Sequence, residues 1–176
     1  MLSAMPRLLL FFTVLILLTA GQMASGEPDG SVSGFGMTDA ALARSDYIEN
    51  CGGCHGVRGS TAPAQVPELR GRVGYFLCTP ETRAYLLRLP NVAHSKVTDD
   101  QQLSDLMNYV VYVLGEGSVP PGRRPFTAEE VRYERTRALT SANLTQERAR
   151  NVAIAMQQCH APASLREMYD RPFLSR

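Results

Sequence analysis

The sequence predicts an all-α protein, in which a domain with two main helices and a loop-rich middle precedes a short helical extension. The two main helices are predicted over residues 37–50 and 97–117, because each stretch contains helix-forming residues preceded by a residue that can cap a helix. Residues 56–74 between them are rich in glycine and proline, as expected of a loop rather than a core element. A proline-rich linker then leads into Glu/Arg-rich helical sequence, and 176 residues suffice for one domain plus an extension.

The N-terminal residues have the order of an export signal. Arg7 supplies positive charge, residues 8–18 are almost entirely apolar, and small residues follow up to Gly26. We predict a signal peptide over residues 1–26, with cleavage after Gly26 or alternatively after Gly21. The apolar run is short for a membrane span and no second one follows, although an uncleaved anchor is the alternative. Export predicts a periplasmic location, where thiols tend to oxidise.

Both main helices have recognisable ends. Thr38 is the predicted N-cap of the first helix. Thr98 and Gln101 predict a capping box for the second helix, and Gly115 is placed to close it. The apolar residues of the second helix recur at helical spacing and predict one buried face: Leu103, Leu106, Met107, Val110 and Leu114.

The motif CGGCH, residues 51–55, follows the first helix directly. A zinc site would need a second ligand pair, a thioredoxin-like site would need a preceding strand, and a plain disulfide leaves the histidine unexplained. Haem attachment uses all three residues. Cys51 and Cys54 would add to the haem vinyl groups, and His55 would bind the iron as the proximal ligand. We therefore predict one covalently bound haem c.

This arrangement resembles the class I c-type cytochromes over residues 35–118, about half of the chain. The resemblance rests on an aromatic residue before CxxCHG, a PxLxG segment in the loop and an NYV segment in the last helix: Tyr47, residues 51–56, residues 67–71 and residues 108–110. It implies a cytochrome c-like haem domain whose first and last helices cross near Tyr47 and Tyr109. It also implies that the Pro67 carbonyl orients His55, although Pro67 is equally explained as a turn proline.

The methionine that usually completes the iron coordination in this family is missing from the loop before the last helix. His94 lies in that loop, and imidazole binds haem iron well. We predict His94 as the distal ligand, the alternative being a solvated loop histidine and a five-coordinate iron. The remaining methionines lie before the first helix, on the apolar face of the last one, or in the tail: Met37, Met107, Met156 and Met168.

Residues 119–176 form the predicted linker and helical extension. Thr127 with Glu130 opens one helix, and a second is expected over about residues 145–158. Neither helix carries enough apolar surface to fold alone, so both should lie against the haem domain or a partner. The mixture of charges in residues 129–137 predicts a solvated face with i,i+4 pairs, and a docking surface is the less favoured alternative.

Two cysteines remain outside the CGGCH motif. In an oxidising compartment Cys78 and Cys159 are expected to form a disulfide that ties the extension to the haem domain. The alternative is a second haem at Cys159 and His160, which would have to be held by a single thioether. The usual motif requires two thiols, so this alternative is disfavoured.

The charge and residue pattern predict an electron carrier rather than an enzyme. The net charge of +1 gives no support for nucleic-acid binding, and no nucleophile or acid–base constellation is evident. We predict a periplasmic carrier of single electrons between a dehydrogenase and the respiratory chain or another terminal acceptor, with no membrane span after signal cleavage. The alternatives are a haem enzyme or gas/peroxide-binding protein with an open sixth iron site, and a haem-bearing subunit anchored in a complex by its tail.

Overall fold

The computed structural model describes residues 33–60 and 65–168, so the predicted signal peptide lies outside the described residues. No β-strand occurs in the part of the chain that the structure describes, which agrees with the predicted all-α class. Its α-helices are α1 (Ala40–Asn50), α2 (Gly52–His55), α3 (Pro80–Arg88), α4 (Pro90–Ala93), α5 (Asp100–Asn108), α6 (Ala128–Arg135) and α7 (Leu144–Cys159). Short 3-10 helices occur at Ser33–Phe35, Val73–Leu77, Glu116–Ser118 and Ala163–Arg166, and a π-helical segment, Tyr109–Leu114, continues α5.

The N-cap of helix α1 lies one residue later than predicted. Asp39 is the N-cap, and its carboxylate accepts a hydrogen bond from the Leu42 amide at 2.9 Å. Thr38 instead donates from its amide and its hydroxyl to the carboxylate of Asp105, on α5. The cap is displaced because a long-range contact recruits the threonine side chain.

The N-cap of α5 is likewise Asp99 rather than Thr98, and it accepts from the Gln102 amide at 2.8 Å. The side chain of Gln101 donates to Asp105 instead of closing a capping box. The π-helical segment ends at Gly115, the residue expected to close the helix. A Cβ there would lie 2.1 Å from the Val111 carbonyl oxygen, so the close turn requires glycine.

Helices α1 and α5 pack against each other and form the frame of the domain. The rings of Tyr47 and Tyr109 meet where the two elements come together, with centroids 5.7 Å apart and planes tilted by 44°. Tyr47 is fully buried. The buried apolar face predicted for residues 103–114 is present, because Leu103, Leu106, Met107, Val110 and Leu114 all lie in the core.

Helix α3 was not predicted from the sequence. It begins with proline at its first position, and Thr79 caps it by a reciprocal hydrogen-bond pair with Thr82. Its other end carries Arg88, which forms an ion pair with Glu134 of α6. In sequence, helix α3 lies between the attachment motif and α5. It packs against α6 and α7, the two helices of the extension.

The extension packs against α3 and α5, and all described residues belong to one compact unit. The prediction that the charged side chains of residues 129–137 form ion pairs with one another on a solvated face was wrong. Glu130 pairs with Arg83 at 2.5 Å, and Arg135 pairs with Asp100 at 3.1 Å, so both side chains bind the preceding domain. The sequence pattern shows that charges alternate, but it does not show which element supplies their partners. The predicted boundary at residues 118–119 stays a prediction.

Replacing Arg83 by methionine should destabilise the fold by about 3 kcal/mol, because it removes both short hydrogen bonds to the largely buried Glu130 and leaves that carboxylate only its 3.3 Å contact with the exposed Arg124. The substitution also removes hydrogen bonds to the carbonyls of Arg124 and Pro125. Urea unfolding measures the change. Arg132→Met is the control, since the Arg132 side chain is 70% exposed and its pair with Asp100 should contribute less than about 1 kcal/mol. Equal midpoints for the two variants would contradict the expectation.

Among the described residues, no helix combines the length and apolar character needed to cross a membrane.

Candidate haem attachment site

One tight turn carries all three residues of the predicted attachment motif. The Cys51 amide continues α1 by donating to the Tyr47 carbonyl at 2.9 Å. The amides of Cys54 and His55 then both donate to the Cys51 carbonyl, at 3.1 and 2.9 Å. The helical turn Gly52–His55 therefore starts where α1 ends and presents two thiols and an imidazole within five residues.

The four cysteines of the chain fall into two different states. Cys51 is half-buried, Cys54 is exposed, and both are free thiols. Cys78 and Cys159 form a disulfide, with Cα atoms 6.0 Å apart. Because Cys159 is occupied in this way, residues 155–160 offer no thiol for a second haem. His160, beside it, ends α7 in the left-handed conformation and is exposed.

The environment of Cys51 keeps its sulfur protonated. Burial, with a further contribution from the neighbouring Cys54, raises the pKa of the Cys51 thiol to about 11. Because the thiolate is the reactive form toward oxidants and disulfides, a raised pKa slows those reactions at neutral pH. At neutral pH the buried thiol of the motif is therefore slower to oxidise than an ordinary cysteine.

His55 is held by one ring nitrogen and leaves the other available. Its Nδ1 lies 2.9 Å from the carbonyl oxygen of Pro67. A carbonyl can only accept, so Nδ1 carries the proton and donates, and the unprotonated Nε2 is the nitrogen free to bind a metal. Burial lowers the pKa of His55 below its ordinary value, and the hydrogen bond to Pro67 acts in the opposite direction. The structure thus brings together the two residues that the family resemblance pairs.

Tyr47 has a second contact that the sequence did not indicate. Its hydroxyl donates to the carbonyl oxygen of Gly56 at 2.6 Å, directly after His55. Burial raises the pKa of Tyr47 well above its ordinary value, so the hydroxyl remains a donor. A family pattern that requires only an aromatic ring at this position does not reveal this hydrogen bond. Tyr47 therefore fixes the end of the motif as well as the helix crossing.

Gly56 itself should not tolerate a side chain. Its φ of +73° is in the left-handed region, and a Cβ would lie 2.3 Å from the Ser60 carbonyl oxygen. Gly56→Ala should lower the free energy of unfolding by about 1–3 kcal/mol, as measured by denaturant titration. Gly117→Ala is the matched control, because no atom lies within 4 Å of a Cβ added there. A Gly56→Ala variant as stable as the control would contradict this prediction.

His94 lies outside this turn. It follows α4 at the start of the loop that leads to α5, its amide donates to the Pro90 carbonyl at 3.0 Å, and its side chain is exposed. Among the described residues, none hydrogen-bonds to its imidazole. The methionines considered as alternatives differ in environment, because Met37 and Met107 are core residues while Met156 and Met168 are half-buried in the extension.

The donor set fits a covalently attached haem. Two free thiols lie on one helical turn, and the adjacent imidazole has the tautomer that leaves Nε2 for iron. The other two cysteines, Cys78 and Cys159, form a disulfide and so have no thiol that could react with a haem vinyl group. Within the described residues, no cluster of three or more His, Cys, Asp or Glu side chains could hold a metal ion, which gives no support for a zinc site.

The helical fold and this attachment turn are those expected of the c-type cytochromes, and comparison with known proteins points to the same class of protein. The chain is distantly homologous to cytochrome c-552 of Thermus thermophilus. One such relative is 27% identical in an alignment covering 61% of this chain and 86% of the relative. Another cytochrome c-552 of that species is 27% identical, with coverage of 56% and 88%. No family model and no solved structure matches the chain. Homology to a cytochrome c indicates an electron carrier rather than an enzyme, and implies covalent haem c.

Proposed function

We propose that the protein is a periplasmic carrier of single electrons with one haem c, attached through Cys51 and Cys54 and bound at the iron by His55. The observation that supports it best is the turn of two free thiols followed by an imidazole, whose Nδ1 is already engaged by the Pro67 carbonyl. The haem supplies one-electron chemistry at its iron when it is bound. The chain supplies attachment, ligation and a fixed surrounding structure.

The residues around His55 keep the ligand in one orientation. The Pro67 carbonyl fixes the tautomer and the ring plane, and it makes the imidazole a stronger electron donor to a metal. The Tyr47 hydroxyl fixes the Gly56 carbonyl on the other side of His55 in sequence. The imidazole and the main chain that follows it are therefore both fixed, and a fixed ligand suits electron transfer.

We propose His94 as the distal ligand, supported by its place before α5 and by its exposed imidazole. His94→Ala should then convert a low-spin absorption spectrum to a high-spin one, and the ferrous variant should bind carbon monoxide. Lys96→Ala, in the same exposed loop, is the control and should leave the spectrum unchanged. A His94→Ala spectrum identical to that of the wild type would exclude the ligand. Carbon monoxide binding by the wild type would favour the open-site alternative instead.

The partners and the compartment follow from the predicted export signal and from the one-electron chemistry. We propose that the carrier accepts electrons from a periplasmic dehydrogenase and passes them to the respiratory chain. The test is to produce the full chain with a haem maturation system and to determine its mass without reductant. The expected mass is that of the processed chain plus one haem, less the two hydrogens lost in the disulfide. A single reversible one-electron wave is expected in redox titration. A colourless exported protein would refute the proposal.

A further inference from the structure

The end of the extension returns to the loop that holds His55. After α7, residues 161–168 run back past Arg72, a residue of that loop. The amide of Glu68 donates to the main-chain carbonyl of Met168 at 2.6 Å. Glu68 directly follows Pro67, so this contact lies next to the hydrogen bond that orients the imidazole.

The two hydrogen bonds belong to a single peptide group. The carbonyl of Pro67, which accepts from His55 Nδ1 at 2.9 Å, and the amide of Glu68 lie in one rigid plane. If the plane rotates, both contacts change together. Hydrogen bonds in series also polarise one another, so the contact with Met168 makes the Pro67 carbonyl a stronger acceptor for His55. The tail therefore acts on the same carbonyl that fixes the proximal ligand.

Two arginines hold the tail in this position. Arg148 of α7 donates to the main-chain carbonyls of Leu165 and Glu167, at 2.8 and 3.2 Å. Arg72 donates to the carbonyls of Ser164 and Glu167, at 3.0 and 3.3 Å. Arg148 is only 7% exposed. A buried guanidinium is stable only where acceptors surround it, so the carbonyls of the tail are part of its required environment.

The disulfide fixes the point from which the tail departs. Cys159 is the last residue of α7, and its bond to Cys78 fastens that end to the segment that precedes α3. The tail is consequently tethered at one end by a covalent bond and along its length by two arginines. With the tail held in this way, the main-chain carbonyl of Met168 lies within hydrogen-bonding distance of the Glu68 amide.

We propose that residues 161–168 are a positioning element for the proximal ligand, acting through the Pro67–Glu68 peptide group to strengthen its hydrogen bond to His55 Nδ1. Arg72 and Arg148 are the positioning residues. The proposal rests on the proposed haem function. A stronger hydrogen bond gives the imidazole more anionic character and stabilises oxidised iron, so the tail lowers the reduction potential.

Arg148→Met and Arg72→Met in the full haem-loaded chain test the proposal, since both remove the donors but retain an apolar chain of similar length. Hydrogen exchange at the Glu68 amide reports whether the tail has loosened. The reduction potential of the haem should then rise. At a fixed applied potential the ratio of oxidised to reduced protein should fall about threefold, which corresponds to a rise in reduction potential of about 28 mV at 59 mV per tenfold change. Loss of positive charge alone would lower the potential, so the sign separates the two effects.

The controls remove arginines from the same two regions. The first control is Arg150→Met on α7, because the Arg150 side chain is 61% exposed and pairs with Glu147 of the same helix. The second is Arg70→Met in the loop, because Arg70 pairs with Glu116 at the surface. Neither control should change the exchange rate or raise the potential. If Arg148→Met does not fold, Arg72→Met decides the result, because its contact with Ser164 is at the surface.

Faster exchange at Glu68 with a raised potential in the test variants alone would support the proposal. Faster exchange with an unchanged or lowered potential would overturn it, since the tail would then have no effect on His55. Unchanged exchange would also overturn it, because the arginines would not be holding the tail. A wild-type protein without haem would refute the proposed function itself, a failure visible before any variant is compared.

Discussion

The Cys51→Ser/Cys54→Ser double variant is expected to carry no covalent haem. In the proposed attachment each thiol forms one thioether to a vinyl group, and a serine hydroxyl would not add in its place. Haem of the wild type should remain with the protein in acidified organic solvent, whereas any haem in the double variant should be extracted completely.

The measurement is the fraction of pigment that stays with the protein after extraction, together with the intact mass. Cys78→Ser/Cys159→Ser is the matched control, since it also removes two sulfurs but leaves the attachment turn intact. Haem retained by the control and lost by the first variant identifies the attachment pair. Covalent haem in the Cys51→Ser/Cys54→Ser protein would rule out the assignment.

The same Cys78→Ser/Cys159→Ser variant should be less stable by about 4 kcal/mol, the second large effect. The disulfide joins residues 81 apart in sequence, and such a cross-link lowers the conformational entropy of the unfolded chain by more as the loop it closes becomes longer. The variant also frees the end of α7, from which the tail returns to Glu68. Denaturant titration of the haem-loaded protein measures the loss.

Wild-type protein treated with a thiol reductant provides the comparison. The reductant opens the disulfide but not thioethers, so the treated wild type should match the variant in stability while keeping its haem. A variant with the same unfolding midpoint as the untreated wild type would show that packing of the extension, and not the covalent tie, holds it in place.

The sequence predicted the main helices and the attachment motif because their signals are local. Periodic apolar residues predicted the buried face of α5, and the spacing of CxxCH fixed which residues share a turn. The caps at Thr38 and Thr98 were misplaced by one residue each. For Thr38 the reason is a long-range contact, since its side chain hydrogen-bonds to Asp105.

The features that sequence reasoning missed depend on which surfaces meet. Helix α3 is short, and its signal is chiefly the cap at Thr79 followed by Pro80. Residues 129–137 gave a charge pattern, but their partners Arg83, Arg88 and Asp100 are distant in sequence. The contact between Met168 and Glu68 joins two main-chain groups, so no side-chain type indicates it.

The coexistence of a disulfide and a free thiol pair has a consequence for biogenesis. Four cysteines allow three complete pairings, and each of them consumes the thiols of Cys51 and Cys54. A productive folding route must therefore oxidise Cys78 and Cys159 while sparing the other two until the cofactor arrives. An expression host for this chain needs oxidising and reducing activities together, and the ratio of correctly assembled to misbridged product will depend on their balance.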